Sequence, residues 1–502
     1  MPKGARNWLT PAAWVAAVSA ALLLIFPVGF PNYDTIYALV WGRELAHGHS
    51  PDYGSALPPT PHPLADLLGL VTTPIGNGAI TVTMVLAYLS LGLVAYLVYR
   101  LGTIWFDRWI GIVAAAIVLT RAPYLSNGLR AYVDLPYIAL CLGALTIEAK
   151  RPRAGWPVLA LLVPAGLLRP EAWGFAIVYW LWLAFDLRRA REGATAIARR
   201  GGWELDWRRE RSPRQLAWLA LLALGGPVLW ILFDAITTGN PMYSLTGTQK
   251  TVETLERKTG PVDLVLYGPR ALGEVMQWPG MVGALGGIVL GFLYLRRRSA
   301  LGIVATVLAL GAFALLACAG LAIIARYTML AAAVLAIFVA LALLGWRLLD
   351  RGDPRRRWWQ AFAGVVAAMF VIWAPNQWNL DSTVHRDLSN QGTIERDLTN
   401  LVDAGAFQPL CGPIAVPNHR AVPRLAFGLE IKPTEIVSAS ESFSREEREK
   451  LAEAGYFVAP ASPFVIHNFI LDPNDETNPT FPVPPGYREV ARNKSWRVYR
   501  RC

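Results

Sequence analysis

The residues of this sequence that could do chemistry lie at the edges of apolar segments. Asp34 follows the first apolar block, and Tyr37, Arg43 and Glu44 come after it at helical spacing. A carboxylate in such a position can act as a general base that takes the proton from an attacking hydroxyl group. Asp34 could equally cap the helix that its neighbours indicate, because Asp is favoured at helix amino ends. The sequence leaves both interpretations open.

Three further segments place polar or charged side chains where an apolar block begins or ends. Arg130 and Asp134 lie in RAYVDLPYIAL (130–140), Glu171 lies in LLRPEAW (167–173), and Arg326 and Tyr327 lie in ARYTML (325–330). The guanidinium group of an arginine offers several fixed N–H donors that fit phosphate oxygens. Each position also has a structural explanation. The acids can begin helices, and an arginine can extend its side chain to a membrane interface.

Three of the six histidines, His47, His49 and His62, fall in one segment, 31–66. A metal site is conceivable there, but no cysteine and no helical pair of histidines accompanies them. Polar loop residues at a wet interface are the simpler interpretation. We therefore predict no metal site, and the cofactor requirement stays open.

The elements that position these residues are apolar blocks of membrane-spanning length. The chain of 502 residues is 54% hydrophobic and 17% charged, with a mean hydropathy of +0.35, which excludes an ordinary soluble protein. About 20 apolar residues suffice for a helix to cross a bilayer. We predict about eleven transmembrane helices, near Trp14–Phe30, 77–99, 109–126, 132–148, 155–168, 171–187, 215–236, 281–295, 300–323, 327–346 and 359–376.

The basic residues predict the orientation of the chain. Lys3 and Arg6 precede the first block, and every second loop thereafter is rich in arginine, up to the longest at 188–214. This alternation predicts a cytoplasmic amino terminus in the cytoplasmic (inner) membrane. A cleaved signal peptide is the alternative for the first block, which we disfavour because that block is long. The same loops account for the net charge of +11, so we expect no nucleic acid partner.

The last part of the chain changes character and predicts a separate domain. Residues 377–502 are polar, and an odd number of spans leaves them outside. The runs GPIAVPN (412–418) and YFVAP (456–460) read as strands, SREEREKLAEAG (444–455) as a helix, and the end as a hairpin around Asn493 and Lys494. We thus predict a transmembrane domain over 1–376 and an extracytoplasmic α/β domain over 377–502.

The four cysteines agree with this orientation. Cys141 and Cys318 fall inside predicted spans, whereas Cys411 and Cys502 both lie in the tail. A pair of cysteines in an oxidising compartment predicts a disulfide between Cys411 and Cys502.

The order of these segments resembles the GT-C superfamily of glycosyltransferases. The resemblance rests on Asp34 with Tyr37 three residues later, on GRELAHG (42–48) and HPL (62–64), and then on the three segments around Asp134, Glu171 and Arg326. It covers roughly residues 10–376 and is greatest to the bacterial protein-mannosyltransferase-like and RgtA-like group. Many relatives have two adjacent acids in the first loop, whereas here Thr35 follows Asp34. This difference weakens the case for a bound metal.

The resemblance implies transfer of a sugar, with probable inversion, from a polyprenyl phosphate to a glycan, lipid or protein acceptor outside the membrane. It implies Asp34 as the general base. It assigns Arg326, Tyr327 and Arg130 to the donor phosphate, and Asp134, Tyr37, His62 and Glu171 to the acceptor or the sugar.

Two other classes of protein remain as alternatives. A transporter or lipid-glycan flippase would show interrupted helices in matched halves and charges near the middle of the membrane, and the notable charges here lie at the predicted outer edge. A membrane scaffold that only presents the tail would make Asp34, Asp134 and Arg326 dispensable. The cytoplasmic loops contain no nucleotide-binding fingerprint, which argues against a nucleotide-sugar enzyme.

Overall fold

The computed structural model describes residues 3–189, 212–441, 444–470 and 482–502, so most of the predicted cytoplasmic loop 188–214 lies outside the described residues. Helices dominate the first four fifths of the described chain. They are α1 (Lys3–Ile25), α2 (Tyr33–Ala46), α3 (Pro63–Thr72), α4 (Gly78–Trp105), α5 (Arg108–Leu119), α6 (Ala122–Leu129), α7 (Asp134–Lys150), α8 (Trp156–Gly166), α9 (Glu171–Arg189), α10 (Pro213–Ala223), α11 (Gly225–Thr238), α12 (Tyr243–Thr254), α13 (Gly260–Tyr294), α14 (Arg296–Cys318), α15 (Met329–Leu344) and α16 (Pro354–Asp403).

Several of these helices are long enough to cross a membrane. The described residues contain five such helices, or seven if the bent pairs α5/α6 and α10/α11 each form one span, and four shorter apolar helices accompany them. The bends of 64° and 44° fall at Pro123 and at the Gly225–Gly226–Pro227 run, where a helix loses hydrogen bonds. The chain is therefore a multi-pass membrane protein, and the total of about eleven spans stays a prediction.

The chain forms two compact units that interleave along the sequence. The first comprises Met1–Ile25, Ala87–Gly128 and Val133–Ser382, and the second comprises Phe26–Leu86, Leu129–Tyr132 and Thr383–Cys502. The domain boundary predicted after residue 376 falls within α16. The division of the chain at that residue stays a prediction.

The first unit is built around α15. Nearly every side chain from Ala331 to Ala342 is buried, as expected for a helix that is apolar on all sides. Gly287 of α13 allows the two helices to touch, because a Cβ atom there would overlap the carbonyl of Phe338. Small residues at such a crossing let helix backbones approach closely within a membrane.

The second unit combines α2 and α3 with a sheet. Gly42 of α2 and Gly69 of α3 face each other so closely that a Cβ atom on either would overlap the backbone of the other helix. The opposite side of α2, with Ile36 and Trp41, packs into the core that the sheet residues form. This core fixes α2 with respect to the tail.

The sheet confirms the predicted α/β character of the tail. Its order is β2 (Ile436–Ser438), β1 (Ile414–Val416), β3 (Tyr456–Pro460), β5 (Trp496–Arg500) and β4 (Arg488–Arg492), with β1 parallel to β2 and β3. The predicted strands around 414 and 456, and the terminal hairpin, are present, whereas β2 and the helix α17 (Val422–Leu429) were not expected. Helix α18 (Arg445–Glu453) begins with a capping box between Ser444 and Glu447, and α19 (Pro463–Val465) is a single turn.

Cys411 and Cys502 are joined in a disulfide in this structure, with their Cα atoms 6.3 Å apart. Cys411 lies just before β1, and Cys502 is the last residue of the sequence. The bond thus holds the end of the chain against the start of the sheet.

Candidate active site

The first unit gathers three charged side chains from two predicted outer turns. The Arg169 guanidinium donates to Oδ1 of Asp134 at the start of α7 and to Oε1 of Glu171 at the start of α9, at 2.6 Å in the second case. Arg169, Asp134 and Glu171 are 6%, 1% and 6% exposed. We call these three residues the acidic triad, because two of them are carboxylates. The third, Arg169, is the cation between them.

Two tyrosines enclose the acidic triad. The guanidinium carbon of Arg169 lies 4.2 Å from the ring centroid of Tyr327 and 5.7 Å from that of Tyr137. The guanidinium of Arg326 lies 5.5 Å from the same Tyr327 ring. Cation–ring contacts of this kind hold guanidinium groups at fixed positions. The structure therefore brings the predicted residues Asp134, Glu171, Arg326 and Tyr327 together.

The acidic triad retains capacity for hydrogen bonds. Within the described part of the chain, Oδ2 of Asp134 and Oε2 of Glu171 are buried and have no hydrogen-bond partner. Carboxylate oxygens of this kind are acceptors for hydroxyl groups, and leaving them unpaired costs free energy. Arg169, which lies in the LLRPEAW segment (167–173), is the residue that holds both acids in place.

Asp34 lies in the first turn of α2 in the second unit. The residue that caps this helix is Asn32, whose side-chain oxygen accepts from the Thr35 N–H at 3.1 Å. Capping therefore does not account for Asp34, although a carboxylate in a first turn interacts favourably with the helix dipole. Its side chain is half-buried.

The short segment 129–132 supports the start of α2. The Arg130 carbonyl accepts from the backbone N–H of Asn32 at 2.9 Å and from its side chain at 2.7 Å, and the Thr35 hydroxyl donates to the Ala131 carbonyl. The Arg130 guanidinium donates to Oε1 of Gln391 on α16 at 2.9 Å. Arg130 and the start of α2, the helix that carries Asp34, thus belong to one hydrogen-bonded framework.

Tyr37 lies in the hydrophobic core of the second unit. Its side chain is completely buried, with its hydroxyl 2.7 Å from that of Ser55 and its ring against Tyr33 and Trp41. Its assignment to the acceptor or the sugar stays a prediction. His62 occupies the residue before α3, where its half-buried side chain makes no capping hydrogen bond.

Sequence reasoning missed a histidine–carboxylate pair in the tail. His419 Nδ1 lies 2.6 Å from Oε1 of Glu441, and the His419 backbone N–H and the Ser438 hydroxyl donate to Oε2. Burial opposes ionisation, but the hydrogen bonds from His419 and Ser438 hold the pKa of Glu441 below its usual value. Glu441 is therefore ionised at neutral pH. The only sequence signal was that each residue follows a short apolar run.

A cavity of about 500 Å³ lies at the carboxyl end of α2, and none of the predicted site residues lines it. Arg43 on its wall donates to the carbonyls of Ala426 and Phe427, which satisfies the end of α17. Among the described residues, no group of three or more His, Cys, Asp or Glu side chains is placed to hold a metal ion.

Comparison with solved structures identifies the fold. ArnT from Cupriavidus metallidurans bound to undecaprenyl phosphate matches with a TM-score of 0.55 at 13% identity, over 99% of this chain and 98% of that one. The apo oligosaccharyltransferase of Archaeoglobus fulgidus matches with a TM-score of 0.51 at 12% identity, over 92% of this chain and 70% of that one. The chain has the GT-C fold.

The resemblance to the GT-C superfamily seen in the sequence is thus confirmed at the level of the fold. The match with ArnT in its apo state, at a TM-score of 0.51 and 14% identity, covers the whole chain, so the tail is part of the shared GT-C architecture. No protein-family model and no curated protein sequence matches this chain.

Proposed function

We propose that this chain is a glycosyltransferase that moves a sugar from a polyprenyl-phosphate donor to an acceptor on the outer face of the cytoplasmic membrane. The observation that carries the proposal is the acidic triad packed on Tyr327 beside Arg326, in a chain with the GT-C fold. The fold is shared with an ArnT that binds undecaprenyl phosphate and with an oligosaccharyltransferase, which supports a lipid-linked donor.

Arg326, Tyr327 and the acidic triad bind the donor in this proposal. Arg326 holds the phosphate, because a guanidinium can donate two parallel hydrogen bonds to its oxygens. Tyr327 lies beside it. The free oxygens of Asp134 and Glu171 accept hydrogen bonds from sugar hydroxyls, which would satisfy both buried groups.

Asp34 is the general base in this proposal. Asp34 takes the proton from the acceptor hydroxyl as its oxygen forms the new bond to the anomeric carbon. The bond from that carbon to the phosphate oxygen breaks, and the polyprenyl phosphate leaves as an anion. A single displacement of this kind inverts the anomeric carbon. Arg130 contributes positive charge for the phosphate, and His62 lines the acceptor side.

The test is a reconstituted assay with the purified protein in liposomes. A panel of polyprenyl phosphates, each bearing one hexose or pentose, is supplied together with extracted cell-envelope lipids and glycans, and release of polyprenyl phosphate is measured. We expect release from at least one donor, and release that is roughly 10²- to 10⁴-fold slower with the Asp34→Asn variant. If no donor is consumed and the purified protein instead carries a lipid of another class, the transporter interpretation replaces this proposal.

A further inference from the structure

The carboxyl ends of the parallel strands β1 and β2 carry a group of polar residues. His419 follows β1 and Glu441 follows β2, and the Ser440 backbone N–H donates to the carbonyl of Pro417 at 3.2 Å. Because all parallel strands end at the same edge, loops there converge, and α/β folds commonly bind ligands at this edge. We call His419, Glu441 and Ser440 the strand-end group.

The imidazole of His419 is oriented by Glu441. The carboxylate receives hydrogen bonds from the His419 ring, the His419 backbone and the Ser438 hydroxyl, so both of its oxygens are occupied. The His419 and Glu441 side chains are 21% and 18% exposed, which leaves part of the pair open to solvent. A carboxylate that accepts from Nδ1 fixes the ring and leaves Nε2 as its second polar atom.

The strand-end group adjoins the start of α2 within the second unit. The ring centroid of Tyr33 lies 5.2 Å from that of His419, in an edge-to-face arrangement. Tyr33 directly precedes Asp34, the proposed base. A molecule that carries several hydroxyl groups and binds His419 through one of them can therefore place a second hydroxyl group near the first turn of α2.

We infer that the strand-end group binds the acceptor of the proposed reaction, and that this acceptor is a carbohydrate. The exposed Ser440 hydroxyl both donates and accepts, and Nε2 of the neutral imidazole accepts, which matches sugar hydroxyls. Both Glu441 oxygens already accept hydrogen bonds within the group, so the polar atoms left for a ligand are Nε2 of His419 and the Ser440 hydroxyl. The inference rests on the proposed function.

The kinetic test compares His419→Gln and Glu441→Gln with His467→Gln, a control at an exposed histidine of the same unit. For His419→Gln we expect the acceptor KM to rise about tenfold, the effect of one lost hydrogen bond. The rate of donor hydrolysis by water should stay within about twofold of the wild-type rate. His467→Gln should change neither the acceptor KM nor the hydrolysis rate. An equal change in transfer and hydrolysis for His419→Gln, or no change in either, overturns the inference.

A second measurement needs no turnover and so separates this inference from the proposed function. Modification of His419 and His467 by diethyl pyrocarbonate is followed by peptide mass spectrometry, with methyl glycosides of mannose, glucose and arabinose as probes and a Ser/Thr-rich peptide as comparison. We expect at least one glycoside to slow modification of His419 and not of His467. Protection by the peptide alone, or by no probe, contradicts a carbohydrate site, even if the donor assay succeeds.

Discussion

At the scale of single residues, the sequence left two interpretations of Asp34 open, a helix cap and a general base. In the structure the side chain that caps α2 is that of Asn32. The choice between cap and base could not be made from the sequence, because both residues are good caps and lie two positions apart. The structure separates them, so each can be changed by itself.

Asp34→Asn should lower turnover by roughly 10²- to 10⁴-fold, the usual contribution of a positioned general base, while donor binding and thermal stability are retained. Asn keeps the size of the side chain but cannot accept the proton. The matched control is Asn32→Ala, which should cost about 1 kcal/mol of stability through the lost cap and leave most of the turnover. Normal turnover in Asp34→Asn would exclude Asp34 as the base.

Arg326→Ala should weaken binding of the polyprenyl-phosphate donor far more than binding of the acceptor. Arg326→Lys should recover only part of the affinity, because an ammonium keeps the charge and loses the planar fork. Donor affinity measured for the two variants by scintillation proximity checks this. An Ala variant with wild-type donor affinity would assign Arg326 to the membrane interface instead.

Removing Arg169 should destabilise the protein by about 3–5 kcal/mol, because two buried carboxylates lose their cation. The variant Arg169→Gln should therefore melt at a lower temperature in detergent. Adding Asp134→Asn and Glu171→Gln should restore most of the loss, since no buried charge remains. A triple variant no more stable than Arg169→Gln would show that charge pairing is not what Arg169 provides.

At the scale of elements, the spacing of Tyr37, Arg43 and Glu44 predicted helix α2 correctly, but not which of its faces is buried. Tyr37 lies in a core completed by residues such as Phe407 and Trp496, far along the sequence. The pair His419–Glu441 was missed for a related reason. It exists because β1 and β2 are neighbours, and β2 has only three residues, too few for a pattern of alternation.

The crossing of α2 and α3 should be the most sensitive helix contact in the second unit. Gly42→Ala places a methyl group against the Leu70 backbone and should cost about 1–3 kcal/mol, because backbone cannot move aside as a side chain can. Gly247→Ala in α12, where the space is open, should be neutral or stabilising. Equal melting temperatures for Gly42→Ala and the wild type would mean that the crossing can relax.

At the scale of the whole molecule, the apolar blocks were sufficient to predict the multi-pass character, and the resemblance carried by the segments around Asp34, Asp134, Glu171 and Arg326 predicted the GT-C fold. They were not sufficient to give the organisation into units, because segments 26–86 and 129–132 join the tail through contacts between distant residues such as Arg130 and Gln391. The length of an apolar block in the sequence also overestimated the length of some helices. Helix α8, for example, has only 11 residues and contains Pro164.

The orientation of the chain is a prediction of the same scale. A single-cysteine reporter at Arg200 should react with a membrane-impermeant maleimide only from the cytoplasmic side, and one at Ser440 only from outside, because arginine-rich loops stay in the cytoplasm. Inverted vesicles and intact cells supply the two sides. Labelling of both positions from one side would require an even number of spans between them.

The interleaved chain of the second unit has a consequence for biosynthesis. Residues Phe26–Leu86 emerge early from the ribosome, but the sheet that completes their core emerges only with Thr383–Cys502, about 300 residues later. At about 5–20 residues per second this delay lasts on the order of 15–60 s. Throughout that interval Ile36, Val40 and Trp41 present an apolar surface without its final cover. The nascent chain therefore needs a temporary partner for α2, either the bilayer or a chaperone, until the residues of the sheet have been translated.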